Sequence, residues 1–194
     1  MSPVVESAGP RSRRRRWIED GERLDLAIYA AIARTPTPAL DVAMSRLSHA
    51  ANYSRLSVAS AALLATGGGP RGRRAAVQGL AAVAGTSALV NLAVKPLARR
   101  RRPDRLASEV PIARHVRMPT SRSFPSGHSA AAFAFAAGVG RVAPAAGVPL
   151  HALAALVAYS RVHTGVHYPG DVLAGSLIGT TVGQITTHMH RRIV

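Results

Sequence analysis

Between Arg74 and Lys95 the chain carries no charged residue. As an α-helix this interval is long enough to cross a hydrocarbon core, which takes about 20 residues. Apolar segments over Ser129 to Gly140, Ala145 to Tyr159 and Val172 to Thr187 continue the pattern, and the shorter Leu56 to Ala65 precedes it, ending in a turn at Gly67, Gly68, Gly69 and Pro70. No strand alternation of useful length and no internal repeat is present. The expected fold is therefore all-α: a membrane-embedded helical bundle of four to five spanning helices, starting near Tyr53. In the last segment Gly175, Gly179 and Gly183 recur every fourth residue and form a stripe that lets another helix approach closely.

The N-terminal part reads differently. Met1 to Arg16 hold the run Arg13 to Arg16 without apolar periodicity, so residues 1–20 are expected to be a disordered basic tail and residues 21–194 a single domain. No apolar core of a secretory signal follows; Glu19, Asp20, Glu22 and Asp25 come next. Leu24 to Ala33 is too short to span. Leu40, Met44, Leu47 and Ala51 share one face of a second helix, with Asp41, Arg46 and His49 elsewhere, so N-terminal helices lying at the interface are expected. A net charge of +16 points to an anionic partner, here membrane lipids or a phosphorylated substrate and not nucleic acid. Cysteine is absent, which excludes thiol nucleophiles and disulfides. Oligomeric state is not legible.

Three polar islands interrupt the apolar pattern: KPLARRRRP from Lys95, SFPSGHS around His128, and SRVHTGVHYPGD from Ser160 to Asp171. Each lies at the end of an apolar segment, and the order of crossings returns all of them to one membrane face. Charged groups at such junctions are functional candidates. Around a phosphate ester, Lys95, Arg102 and Arg161 neutralise the phosphoryl oxygens. Ser126 and Gly127 open a helix, where a hydroxyl and backbone N–H groups meet an oxyanion. Two histidines then divide the chemistry: His167 attacks phosphorus, and His128 protonates the departing oxygen. Asp171, four residues after His167, orients the attacker. His163 is expected to support its neighbours, and Arg99, Arg100, Arg101 and Arg105 to bind headgroups, extend the field or stay solvated.

The pattern of lysine, six residues and Arg-Pro, then Pro-Ser-Gly-His, then Ser-Arg, five residues, His, three residues and Asp resembles the three-part signature of the type 2 phosphatidic acid phosphatase superfamily. It stands here as Lys95, Arg102 and Pro103; Pro125 to His128; and Ser160, Arg161, His167 and Asp171. The resemblance implies a phosphatase that uses no metal and no cofactor, passes through a phosphohistidine on His167, and has a six-helix core. The short Leu24 to Ala33 departs from the family's usual first spanning helix. The superfamily also contains vanadate-dependent haloperoxidases, which are soluble and usually larger.

The resemblance to small cell-envelope enzymes of high-GC bacteria favours a polyprenyl-linked phosphate, such as decaprenylphosphoryl-5-phosphoribose or an isoprenyl diphosphate, over phosphatidate or another glycerolipid. A non-catalytic, basic, anion-binding membrane protein is the rival from another class; the two histidines with Asp171 speak against it. The expected place is a bacterial plasma membrane, with the active site on the cytoplasmic face by the positive-inside rule.

Overall fold

A computed structural model of the chain describes the backbone of residues 10–193 and the side chains of residues 15–186. Among the described residues there are helices, short turns and loops, and no strand. Helix α1 spans Pro10–Arg34, α2 Pro38–Ala50, α3 Arg55–Gly67, α4 Gly69–Leu97, α5 Gly127–Val142, α6 Pro144–His163 and α7 Pro169–Ile193. The all-α bundle expected from the apolar segments is the architecture observed.

Helix α5 is the axis of the bundle. Ala130, Ala131, Ala134, Phe135, Ala136, Ala137 and Val139 are all buried, as a helix apolar on every side must be. Helices α4, α6 and α7 enclose it. Small residues set the spacing: a Cβ on Gly179 would lie 2.0 Å from the Ala130 carbonyl oxygen, and one on Gly175 2.4 Å from that of Ser126. The glycine stripe therefore seats α7 on the backbone of α5. This docking carries the start of α7 to the start of α5, where the Ser126 N–H donates to the Asp171 carbonyl at 2.9 Å.

Among the described residues two helices, α4 and α6, are long and apolar enough to cross a membrane. Their outward faces stay apolar: Val77, Leu92, Val148 and Leu156 are exposed. Surface of this kind suits lipid, not water. The expected turn at Gly67 to Pro70 is present, and Arg71 to Arg74 form the first turns of α4. Pro70 is tolerated there because the first-turn N–H groups have no partner to lose.

The N-terminal expectation needs correction. Helix α1 begins at Pro10, so the tail expected over 1–20 is helical from that residue on, and residues 1–9 lie outside the described residues. An Arg15–Glu19 pair one turn apart, 2.9 Å, supports this early part. Asp25, Tyr29 and Ala33 form the buried stripe of α1, while Trp17, Leu24, Leu26 and Ile28 face outward. Helix α2 is likewise turned: its buried face carries Asp41, Met44 and Ser48.

Candidate active site

The first island closes α4. From Leu89 to Val94 the helix widens into a π-turn, which accommodates Pro96, whose ring has no N–H to give the carbonyl of the turn before. The widened turn ends at Lys95, whose Nζ donates to Ser121 Oγ at 3.2 Å. Arg102 Nη2 reaches the same hydroxyl at 3.2 Å, and Arg102 Nε donates to the Ser121 carbonyl at 2.9 Å. Ser121 thus joins two cations that would otherwise repel. Arg102 Nη1 donates to the Val166 carbonyl at 3.0 Å and lies 3.1 Å from His167 Nε2.

His167 stands in the turn before α7 and is 1% exposed. Its Nδ1 is 3.4 Å from Asp171 Oδ2. That oxygen also accepts from the Tyr168 N–H at 3.0 Å and from the Ser123 hydroxyl. A guanidinium only donates, so its approach to Nε2 places the lone pair there and the proton on Nδ1, facing the carboxylate. Burial pushes the His167 imidazole down to about 4; the Asp171 hydrogen bond works against this, and Arg102 and Arg161 add to it. At neutral pH the ring is uncharged, with a free electron pair on Nε2.

The second island opens α5. Ser126 is its N-cap: Oγ accepts from the Ser129 N–H at 3.4 Å and the Ser129 hydroxyl at 2.9 Å. The hydroxyl expected to face an oxyanion is fully buried and caps the helix instead. Gly127 does open onto the cations, since a Cβ there would lie 3.6 Å from Lys95 Nζ. His128 Nε2 is 3.0 Å from Asn52 Oδ1, an acceptor, so this ring carries its proton on Nε2. The two histidines are thereby held in opposite tautomers.

Arg161 is 1% exposed. Its Nη1 donates to the Ser48 hydroxyl at 2.5 Å and the Ser48 carbonyl at 3.3 Å, while Nε has no partner. Among the described residues it has no carboxylate partner. Lys95, Gly127 and His128 line a cleft of about 200 Å³ together with the polar Ser57, Ser87 and Asn91 and the apolar Leu56, Ala131 and Val157.

Several contacts were not legible in the sequence. Asn52, Ser123, Asp25 and Arg100 all touch the site, and Asp25 is bonded to a residue 145 positions away. Arg100, expected to bind headgroups, extend the field or stay solvated, is paired with both Asp25 and Asp171. His163 bonds Asp41 at 2.9 Å and Tyr159 at 3.3 Å, and belongs with Arg114 to a separate buried cluster.

The PAP2 superfamily signature matches residues 76–194, which include every candidate site residue. The chain belongs to the PAP2 superfamily. Among its PAP2 relatives, the decaprenylphosphoryl-5-phosphoribose phosphatase of Mycobacterium tuberculosis is 44% identical over 108 residues, or 53% of this chain and 57% of that protein. The match thus spans little more than half of the curated relative's length. A transmembrane PAP2 type phosphatidylglycerolphosphate phosphatase from Bacillus subtilis has a similar structure, with a TM-score of 0.68 at 26% identity, over 90% of this chain and 88% of that one. Aquifex aeolicus LpxE gives a TM-score of 0.67 at 25% identity, over 95% of this chain and 98% of that one. Together with the exposed apolar faces of α4 and α6, these PAP2 likenesses make the chain an integral membrane protein.

Proposed function

We propose that this chain is a lipid phosphate phosphatase that works through a phosphohistidine on His167, with a polyprenyl-linked sugar phosphate of the decaprenylphosphoryl-5-phosphoribose kind as substrate. The observation that carries the reading is the setting of His167, with Arg102 at Nε2 and Asp171 at Nδ1. In this scheme the substrate phosphate takes over the donors of Arg102, Lys95 and Arg161. Nε2, released from Arg102, forms a bond to phosphorus as the bond to the ester oxygen breaks. That oxygen takes the Nε2 proton of His128, which enters this step as the imidazolium, protonated as the phosphate anion binds beside it, and leaves as an alcohol. A water molecule then attacks phosphorus and gives a proton back to His128; the P–N bond breaks, and inorganic phosphate departs. Positioning and fixed positive charge supply most of the rate.

The cleft supports the substrate class. Beside Lys95 and His128 its lining holds the polar side chains Ser57, Ser87 and Asn91 together with the apolar Leu56, Ala131 and Val157. A hydroxyl-bearing sugar next to the scissile phosphate can use the hydrogen-bonding groups of this mixed lining, while the apolar side chains suit the start of a lipid tail. The substrate in the mycobacterial relative's name, decaprenylphosphoryl-5-phosphoribose, is of this kind.

The spanning set in this reading is α4 to α7, with α3 as a fifth, in a bacterial plasma membrane. The basic loop from Arg99 to Arg122 and the N-terminal arginines share one face, more positive than the face carrying Arg71, Arg73 and Arg74, so the active site is cytoplasmic. Leu106, in that loop, is exposed. In right-side-out vesicles a Leu106→Cys variant of this cysteine-free chain should resist a membrane-impermeant maleimide; ready labelling would reverse the orientation.

The central test is phosphate release from a panel of purified lipid phosphates. His167→Ala should lose at least about a thousandfold. Wild-type release by that variant would end the phosphohistidine reading, and preference for phosphatidate would end the sugar-lipid assignment alone.

A further inference from the structure

The signature residues account for one side of Asp171. Its Oδ2 serves His167, Ser123 and the Tyr168 N–H. Its Oδ1 accepts from Arg100 Nη1 at 3.0 Å. Asp171 is fully buried, so without Arg100 that oxygen loses this charge-assisted partner. Arg100 is itself shared: Nη2 donates to Asp25 Oδ2, and the guanidinium lies 4.2 Å from the centroid of the Tyr168 ring. Asp25 in turn uses its other oxygen to accept from the Gly170 N–H at 2.6 Å, beside Asp171 in the first turn of α7. One carboxylate of α1 therefore grips both the cation and the backbone that hold the orienting aspartate. A Cβ on Gly170 would lie 3.1 Å from Asp25 Oδ2, so the fit is close on that side as well.

Resting on the phosphohistidine reading, we infer that Asp25 is a positioning residue for phosphoryl transfer, acting on His167 through Arg100 and Asp171. The charge count gives the reason. A lone Arg100–Asp171 pair is neutral and exerts little pull on the imidazole proton. With Asp25 as a second carboxylate the trio is net negative, so Asp171 keeps the charge that stabilises positive charge developing on His167 as Nε2 bonds to phosphorus. Helix α1, outside the residues matched by the family signature, thus completes the active site.

The test uses the purified full chain and para-nitrophenyl phosphate, whose phenolate leaves without help from an acid, so that attack by His167 is read without His128. Asp25→Asn should lower kcat about tenfold or more, while KM and inhibition by orthovanadate, which report the phosphate cage, stay within about threefold. Asp25→Glu should recover much of the loss. Adding Arg100→Gln to Asp25→Asn should raise kcat again, because it removes a cation no longer shared. A kcat for Asp25→Asn within about twofold of wild type overturns the inference, as does a loss matched by weakened orthovanadate inhibition, which marks a structural role. A double variant no faster than Asp25→Asn overturns the charge argument. If wild type releases no phosphate from para-nitrophenyl phosphate or any lipid phosphate, the functional reading fails instead.

Discussion

Arg114 and Arg161 are buried alike, 0% and 1% exposed, and are held in opposite ways. Arg114 donates to Asp41 Oδ1 at 2.7 Å, to the carbonyls of Ile32, Ala33 and Thr35, and to the Thr37 hydroxyl. It ties the end of α1, the start of α2 and the loop before α5 into one joint, and His163 of α6 joins through the same Asp41 oxygen. Hydrogen bonds from Thr37, His163 and Arg114 outweigh the upward push of burial and hold Asp41 below its usual range. Arg161 has Ser48 as a side-chain partner, no carboxylate among the described residues, and a buried Nε without a partner. Burying an uncompensated cation is costly, and the cost is recovered when an anion arrives. A saturated arginine fixes the fold, whereas an unsaturated one keeps its field for a ligand.

The contrast can be broken by substitution. Arg114→Met leaves Asp41 buried without its main cation and should cost about 3–5 kcal/mol of stability, read by denaturant unfolding in detergent, while kcat per folded molecule stays close to wild type. Arg161→Gln should do the reverse: kcat/KM falls about a hundredfold, near 2.7 kcal/mol, with no loss of unfolding temperature. Equal stability losses in the two variants would erase the distinction. The smallest effect sharpens it. Ser48→Asp gives Arg161 the carboxylate that Arg114 already has, and should lower phosphate release about tenfold without lowering the unfolding temperature; unchanged release would mean that Arg161 does not hold the phosphate.

What was legible from the sequence is local in character. The spacing of Lys95 to Arg102, of Pro125 to His128 and of Arg161 to Asp171 can be read along a single strand of text, because each group lies within a few turns of its own partners. The glycine stripe was legible for the same reason, since a four-residue period defines a helix face before any partner is known. The substrate class expected from the sequence is also the one in the mycobacterial relative's name. Contacts made across the bundle were not legible. Asp41 was placed off the packing face of α2 because a carboxylate looks solvated until Arg114 and His163 are brought to it. Asp25 looked like one of several acids after a basic run, and Arg100 like one arginine among four. Ser126 was expected to turn its hydroxyl to an oxyanion, and only the turn of α5 showed the cap.

By itself, then, the sequence determined the helical class, the junctions where charge meets apolar chain, and the types of residue available to the chemistry. Those follow from hydropathy and from the fixed periods of the helix. Tertiary structure decided the protonation geometry: which nitrogen of His167 faces Asp171, which nitrogen of His128 faces Asn52, and that buried Arg161 meets Ser48 and no carboxylate among the described residues. These depend on distances of about 3 Å, for His128 and Arg161 between residues far apart in the chain, a scale at which a hydrogen bond is made or lost. Periodicity places a residue on a face; only packing chooses the atom it meets.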